Sequence, residues 1–405
     1  MNKALALADR RRRQRHAAER RFRLLGAAAV LTAGAFLLVL LATIVAQGWR
    51  GFTETRVTLT IDLAAARLPI TPAMLRGPGA RLALAEAGLE PAVAGAATRL
   101  APDLLSDGAW LRVRDAIVAD PSLLNTRATF TLPVAEHVDQ AWKRDGSPQG
   151  EAIVARLAPR LSTGPAWSFL TGSDATDPTR AGIWGALKGS LLVMAVTLAI
   201  AFPIGTLAAL YLEEFAGRNR WTDLIEVAIN NLAAVPSIIF GLLGLAFFLG
   251  TLGLPRSVPL VGGLTLALMT MPVIVIAGRA AIRGVPPSVR DAARAVGASR
   301  VQVVFHHVLP LALPGILTGT IIGTGRALGE TAPLLMIGMR AFIAGPPVGL
   351  SDPATVLPVQ IFLWSDQVGQ GFVEKTSAAI IVLLGVLLVI NAAAIALRHR
   401  FQVRW

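Results

Sequence analysis

"VPPSVRDAARAVGASRVQVVFHHVLP", residues 285–310, is the most structured polar segment of the chain, and its reading decides the fold. Pro286 and Pro287 suit the start of a helix, and Gly297 suits its end. Between them Val289, Ala292, Ala293 and Val296 recur at i, i+3, i+4 and i+7, the spacing of one apolar helix face. Arg290, Asp291 and Arg294 fill the remaining positions. A second amphipathic run follows Gly297, and Pro310 and Pro314 mark the start of a long apolar stretch. The expected object is a compact knob: two short helices meeting at a glycine, with small residues on the exposed face. A helix lying on lipid headgroups is the blander alternative.

Working outward, the knob is flanked by apolar stretches at about 258–278 and 311–338. Others lie at about 186–211, 229–250 and 377–397, and "LLGAAAVLTAGAFLLVLLATIVAQGW" occupies 24–49. A helix spanning a bilayer needs roughly 20 apolar residues. With 54% hydrophobic and 16% charged residues, the chain reads as an all-α polytopic membrane protein of six transmembrane helices. The absence of cysteine excludes disulfides and thiolate-bound metal.

The net charge of +13 would suit a nucleic-acid partner in a soluble protein, but the charges follow the membrane instead. "RRRRQR" (10–15) precedes the first span, "RHRFQVR" (398–404) follows the last, and residues 279–307 carry five arginines against Asp291 alone. Positive residues favour the cytoplasmic side. Both termini and the knob are therefore expected in the cytoplasm, with the protein multi-pass in the cytoplasmic membrane. The first span is too long for a signal peptide and reads as an uncleaved anchor.

Residues 51–182 are nearly balanced in charge and too many for a structureless loop. "RVTLTIDL" (56–63) and "RATFTLPV" (127–134) alternate like strands, and "DGAWLRVRDAIVAD" (107–120) suggests a helix. A small α+β extracytoplasmic domain between helices 1 and 2 follows, ending in a hinge at 171–182. Asp174 and Asp177 lack the ordered oxygen spacing of a calcium loop. The expected domains are thus a basic tail (1–23), an anchor (24–49), the domain and hinge (50–182), a five-helix unit (183–398, with its loop at 279–310) and a tail (399–405).

Catalytic signatures are missing. "GALKGS" (185–190) has its Lys and Gly in the wrong order for a phosphate-cradling loop, and "GTGRALG" (323–329) is not a dinucleotide fingerprint. Adjacent His306 and His307 point about 100° apart on a helix, a poor metal pair. No nucleophile–base set is evident, so the chain does not read as an enzyme, and no cofactor, metal or nucleic-acid partner is expected.

The knob resembles the signature of ABC-importer permeases, E-A-A-x-x-x-G, nine residues, then I-x-L-P. This chain has Asp291, Ala292, Ala293 and Gly297, then His307, Val308, Leu309 and Pro310, with Asp for Glu and His for Ile as departures. The resemblance implies a MetI-like permease core over about 186–397 and docking of the knob on a separate ATPase. "VPSIIFGLLG" (235–244), "GRALGETAPLL" (325–335) and "ATVLPVQIF" (354–362) are similar to PstA-type phosphate permeases. That implies a bacterial inner-membrane complex with a PstC-like permease, a PstB-like ATPase dimer and a periplasmic phosphate-binding protein, all within membrane lipid.

Arg326 and Glu330 are four residues apart in an otherwise apolar span, expected near its middle and on one helix face. A charge at the bilayer centre costs about 2.5–3.5 kcal/mol on insertion scales and usually faces the bundle interior or a cavity. Arginine offers a planar fork that matches phosphate oxygens, and a carboxylate accepts the proton that hydrogen phosphate keeps and sulfate lacks. The pair is expected to line the substrate pathway; a self-neutralising structural pair is the alternative. Other solutes (sulfate, molybdate, an amino acid), a secondary transporter and a phosphate-status sensor are the rival functions.

Overall fold

The computed structural model describes residues 2–71, 74–77, 79–143, 146–217, 219–339, 343 and 345–401. The end of the C-terminal basic run, residues 402–405, lies outside the described residues.

Helix α1 (Asn2–Gly51) leads directly into a three-stranded antiparallel sheet of β1 (Thr53–Asp62), β2 (Arg127–Pro133) and β3 (Leu161–Pro165), ordered β2-β1-β3. The expected strands are present; β3 was not foreseen. On β1 the alternation decides the faces: Val57, Leu59 and Ile61 are buried, while Thr58, Thr60 and Asp62 face water. Val57 pairs with both Leu132 and Leu161. Helix α2 (Ala109–Ala119) covers the sheet with Val113 and Ile117, and α3 (Glu136–Lys143) contributes Val138. The inserted domain thus has a hydrophobic core of its own.

Beyond it the chain is helical and apolar. Helix α4 (Trp184–Phe215) is followed by a pair, α5 (Arg220–Ala234) and α6 (Ser237–Thr251), bent by 102°. Then come α7 (Pro259–Arg283), α8 (Pro287–Ala295), α9 (Arg300–Gly329), α10 (Leu357–Ser365) and α11 (Gln370–Phe401). Among the described residues, five helices are long and apolar enough to cross a membrane, or six if the bent pair counts as one crossing. The expected straight span at 229–250 is therefore broken. Val235, forced into an extended conformation before Pro236, interrupts it. The 8- and 7-residue pieces of α6 reach only about 22 Å.

Helix α7 is the axis of the bundle, with 61% of its apolar window buried against 0% for α1 and α11 at the rim. Close packing around α7 uses glycine: a Cβ on Gly263 would lie 2.4 Å from Val196, and one on Gly319 2.1 Å from Ala277. The knob and the N-terminus lie at one end of the bundle, the inserted domain at the other. Exposed Trp49, Trp167 and Trp184 ring the domain end, where amphipathic aromatic rings suit a membrane–water boundary.

Candidate functional site: a braced knob and an intramembrane ion pair

Local chemistry shapes the knob. Pro287 occupies the first turn of α8, where a missing N–H costs nothing. At the other end Gly297 has φ +87°, a conformation that favours glycine. The amide of Ala298 donates to Ala293 O (3.1 Å) and that of Gly297 to Arg294 O (2.9 Å), the two bonds of a Schellman motif. Ser299 then opens α9 with a capping box. Its Oγ accepts from the Gln302 amide (3.3 Å) while its own amide donates to Gln302 Oε1 (2.8 Å).

Two expectations about the knob change here. The second short helix is the first turns of α9, which runs unbroken through Pro310 and Pro314. It does so by widening to a π-turn over Val303–Val308, which gives the Pro310 ring room against the turn before it. Leu309 is therefore half-buried and Pro310 exposed on a long helix rather than on the knob itself. The apolar stripe of α8 also divides. Val289 and Ala293 turn into the bundle core, whereas Ala292 and Val296 remain outside, Val296 at 86% exposure. Asp291 is exposed and makes only a 3.6 Å contact with Arg294.

The base of the knob holds residues that motif reading passed over. Arg290 donates to Glu214 Oε1 through Nε (3.0 Å) and Nη2 (2.7 Å), and to the carbonyls of Val285 (2.7 Å) and Ile282 (3.0 Å). Arg300 reaches the Glu214 carbonyl and stacks 5.2 Å above the Phe215 ring. Arg279 donates to Glu213 (2.5 Å) and Glu226 (2.8 Å), and Arg283 shares Glu213 (2.9 Å). Glu213 and Glu214 sit on the π-wound end of α4, Tyr211–Phe215. Four arginines and three glutamates thus fasten α4, α5, α7, α8 and α9 together. The signal was present in "YLEEF": two acids closing an apolar span beside arginine-rich segments. Arg279 and Arg283 belong to α7, so the loop itself begins at Gly284.

The second feature lies toward the opposite end of α9. The helix stops at Gly329, and Glu330 is its extended C-cap (φ −77°, ψ 124°), before a short helix Ala332–Met336. Arg326 and Glu330 are thus at a helix end, not midway along a continuous span. A single contact joins them, Nε to Oε1 at 3.4 Å, with the arginine side chain 46% exposed and the glutamate 18%. Among the described residues neither Nη of Arg326 has a hydrogen-bond partner. Beside the pair, Gly325 faces α11, where a Cβ would meet Leu387 at 3.7 Å.

A helical bundle with exposed apolar walls and a short helix braced at one end defines the class: an integral-membrane protein. Residues 201–404 match the family described as binding-protein-dependent transport system inner membrane component, and the chain belongs to that family. It is an inner-membrane permease of ABC importers with the MetI-like core that the motif implied. Residues 9–151 match a domain of unknown function, DUF3333. Among curated relatives, a probable ABC transporter permease YqgI of Bacillus subtilis is 31% identical over 207 residues, 48% of this chain and 70% of its own. The phosphate transport system permease protein PstA 1 of Mycobacterium tuberculosis is 33% identical over 218 residues, 54% of this chain and 70% of its own. Among solved structures, a chain of the MetNI methionine ABC transporter in an inward-facing conformation aligns at 19% identity. It covers 55% of this chain and 98% of the other, with a TM-score of 0.45.

Proposed function

We propose that the chain is the permease of an ATP-driven phosphate importer. In this reading it forms the pathway with a second, PstC-like permease and is driven by a PstB-like ATPase dimer seated on the knob. A periplasmic phosphate-binding protein supplies the solute, and both termini lie in the cytoplasm. Relatives that carry the phosphate name support the substrate. The observation that carries the reading is the under-paired fork of Arg326, a permanent cation in an apolar bundle with donors to spare. A passing dianion takes those donors, and the Glu330 carboxylate accepts a hydrogen bond from the hydroxyl that hydrogen phosphate keeps.

On the knob, exposed Asp291, Ala292 and Val296 and the turn at Gly297 are the surface offered to the ATPase. Ala293 anchors that surface from within, and Leu309 and Pro310 lie on α9, the helix leading to Arg326. A push on α8 therefore travels along α9 to the ion pair, about 40 Å away along one helix.

The test is uptake of labelled phosphate by the complex reconstituted in lipid vesicles, with sulfate as competitor. Uptake is expected to require ATP and resist sulfate, and to fall at least about tenfold in Arg326→Gln. Normal flux through both Arg326→Gln and Glu330→Gln overturns the pathway role; uptake driven by a proton gradient without ATP overturns the importer reading.

A further inference from the structure

We infer that the inserted domain is a clamp that joins the first helix to the last and moves with them as one body. The inference goes beyond the transport reading and borrows from it only the readout of its test.

Helix α1 crosses the start of α11 at very short range. A Cβ on Gly48 would lie 2.6 Å from Ile381 Cδ1 and 2.8 Å from Ser377 O, and one on Gly51 2.6 Å from Glu374 O. Glycines one turn apart on α1 thus meet residues 374, 377 and 381, one face of α11.

The domain grips this crossing with a single short helix. At the start of α3, Glu136 Oε1 accepts the Gly371 amide (2.8 Å), so an anion sits on the N-terminus of α11. At its end, the Lys143 ammonium lies 2.8 Å from Asp139 and donates to Glu374 (3.2 Å), Arg50 O (3.1 Å) and Thr53 O (2.9 Å). A cation therefore sits on the C-terminus of α1. Each end of α3 carries the charge that the facing transmembrane dipole favours. From the other side, buried Lys375 on α11 donates to Gly51 O (2.9 Å) and lies 4.8 Å above the Phe169 ring.

The connection back to α4 is also fixed. Residues 171–182, expected as a solvated hinge, are hydrogen-bonded: Gly182 N to Ser173 O (2.8 Å), Ile183 N to Phe169 O (2.7 Å) and Trp184 N to Gly172 O (2.9 Å). Asp174 accepts from Trp364 Nε1 (2.9 Å), and Phe169, Ile183, Trp364 and Phe372 share one buried cluster with Ala378 and Ala379 of α11. No slack segment separates the domain from the last helix. Farther along α11, Leu387 faces Gly325 beside Arg326, so the position of the domain sets the helix that flanks the ion pair.

The chain has no cysteine, so with any cysteines of the partner subunits replaced, Lys143→Cys/Glu374→Cys offers a selective pair in the full complex for a cleavable bis-maleimide. Unlinked, this variant is expected to take up labelled phosphate about threefold or more slowly than wild type. Linking should restore the rate, and cleavage should lower it again. Uptake that falls on linking overturns the inference, because the domain would then have to move against α11. Uptake equal to wild type in every state also overturns it, because the joint would carry nothing. Gln47→Cys/Ser377→Cys, whose parent side chains meet at 3.4 Å across the crossing, tests the same body even if the first pair fails to assemble. Oxidation should leave its rate unchanged, and a rate lost on oxidation and regained on reduction overturns the inference. Wild-type complex that hydrolyses ATP without moving phosphate breaks the substrate reading alone, and the same linking series is then read by ATP hydrolysis.

Discussion

Two arginine–glutamate pairs near opposite ends of α9 have the same chemistry and opposite conditions. At the knob, Arg290 is 16% and Glu214 8% exposed, joined by two short bonds with two backbone carbonyls completing the fork. Toward the other end of α9, Arg326 meets Glu330 through one 3.4 Å contact and keeps nearly half its surface open. A saturated buried pair has nothing left to give a ligand; its work is to hold helices in place. An under-paired one is poor glue and keeps donors that no described residue takes. The difference separates a brace from a binding group more clearly than residue type does.

That comparison breaks or sharpens by mutation, and the largest stability effect belongs to the brace. Glu214→Ala leaves Arg290 buried beside carbonyls alone, and should destabilise the purified complex by about 3–5 kcal/mol. A thermal unfolding midpoint equal to wild type would show that the pair is not structural. Gly297→Ala forces a side chain into φ +87° at an open position and should cost about 1–2 kcal/mol. Limited proteolysis between α8 and α9 is the sensitive measurement. Arg326→Gln should change stability by less than about 1 kcal/mol, because one exposed contact is lost, while uptake collapses. A large drop in melting temperature would reclassify this pair as a second brace. Smallest of all, Asp291→Asn loses only a solvent-exposed contact worth about 0.3 kcal/mol. It should leave melting unchanged and still lower ATP hydrolysis stimulated by loaded binding protein. Unaltered stimulation would remove Asp291 from the docking surface.

Features set by neighbours in the chain were legible. Pro287, Gly297 and the Ser299–Gln302 box bound the knob through contacts within a few residues, and β1 and β2 announced themselves by alternation. The break at Val235–Pro236 was equally local, but hydropathy averaging over 229–250 passed through it. Residues 354–362 matched a motif without revealing that α10 would pack Gln360 fully buried. The knob's brace could not be read that way. Arg279 finds Glu213 and Glu226 at separations of 66 and 53 residues, and Arg290 finds Glu214 at 76.

The sequence by itself thus determined that this chain enters a membrane, roughly where it crosses, and where α8 begins and ends. Transfer of apolar surface, proline geometry and helix capping are all priced over a turn or two of chain. Only the tertiary structure decided which arginines brace the knob and left the Nη atoms of Arg326 without a partner among the described residues. It also decided that the inserted domain grips α1 and α11 rather than hanging from a loop. Those outcomes depend on which distant carboxylates and helix ends the packing around α7 brings within about 3 Å, a distance at which charge-assisted bonds form.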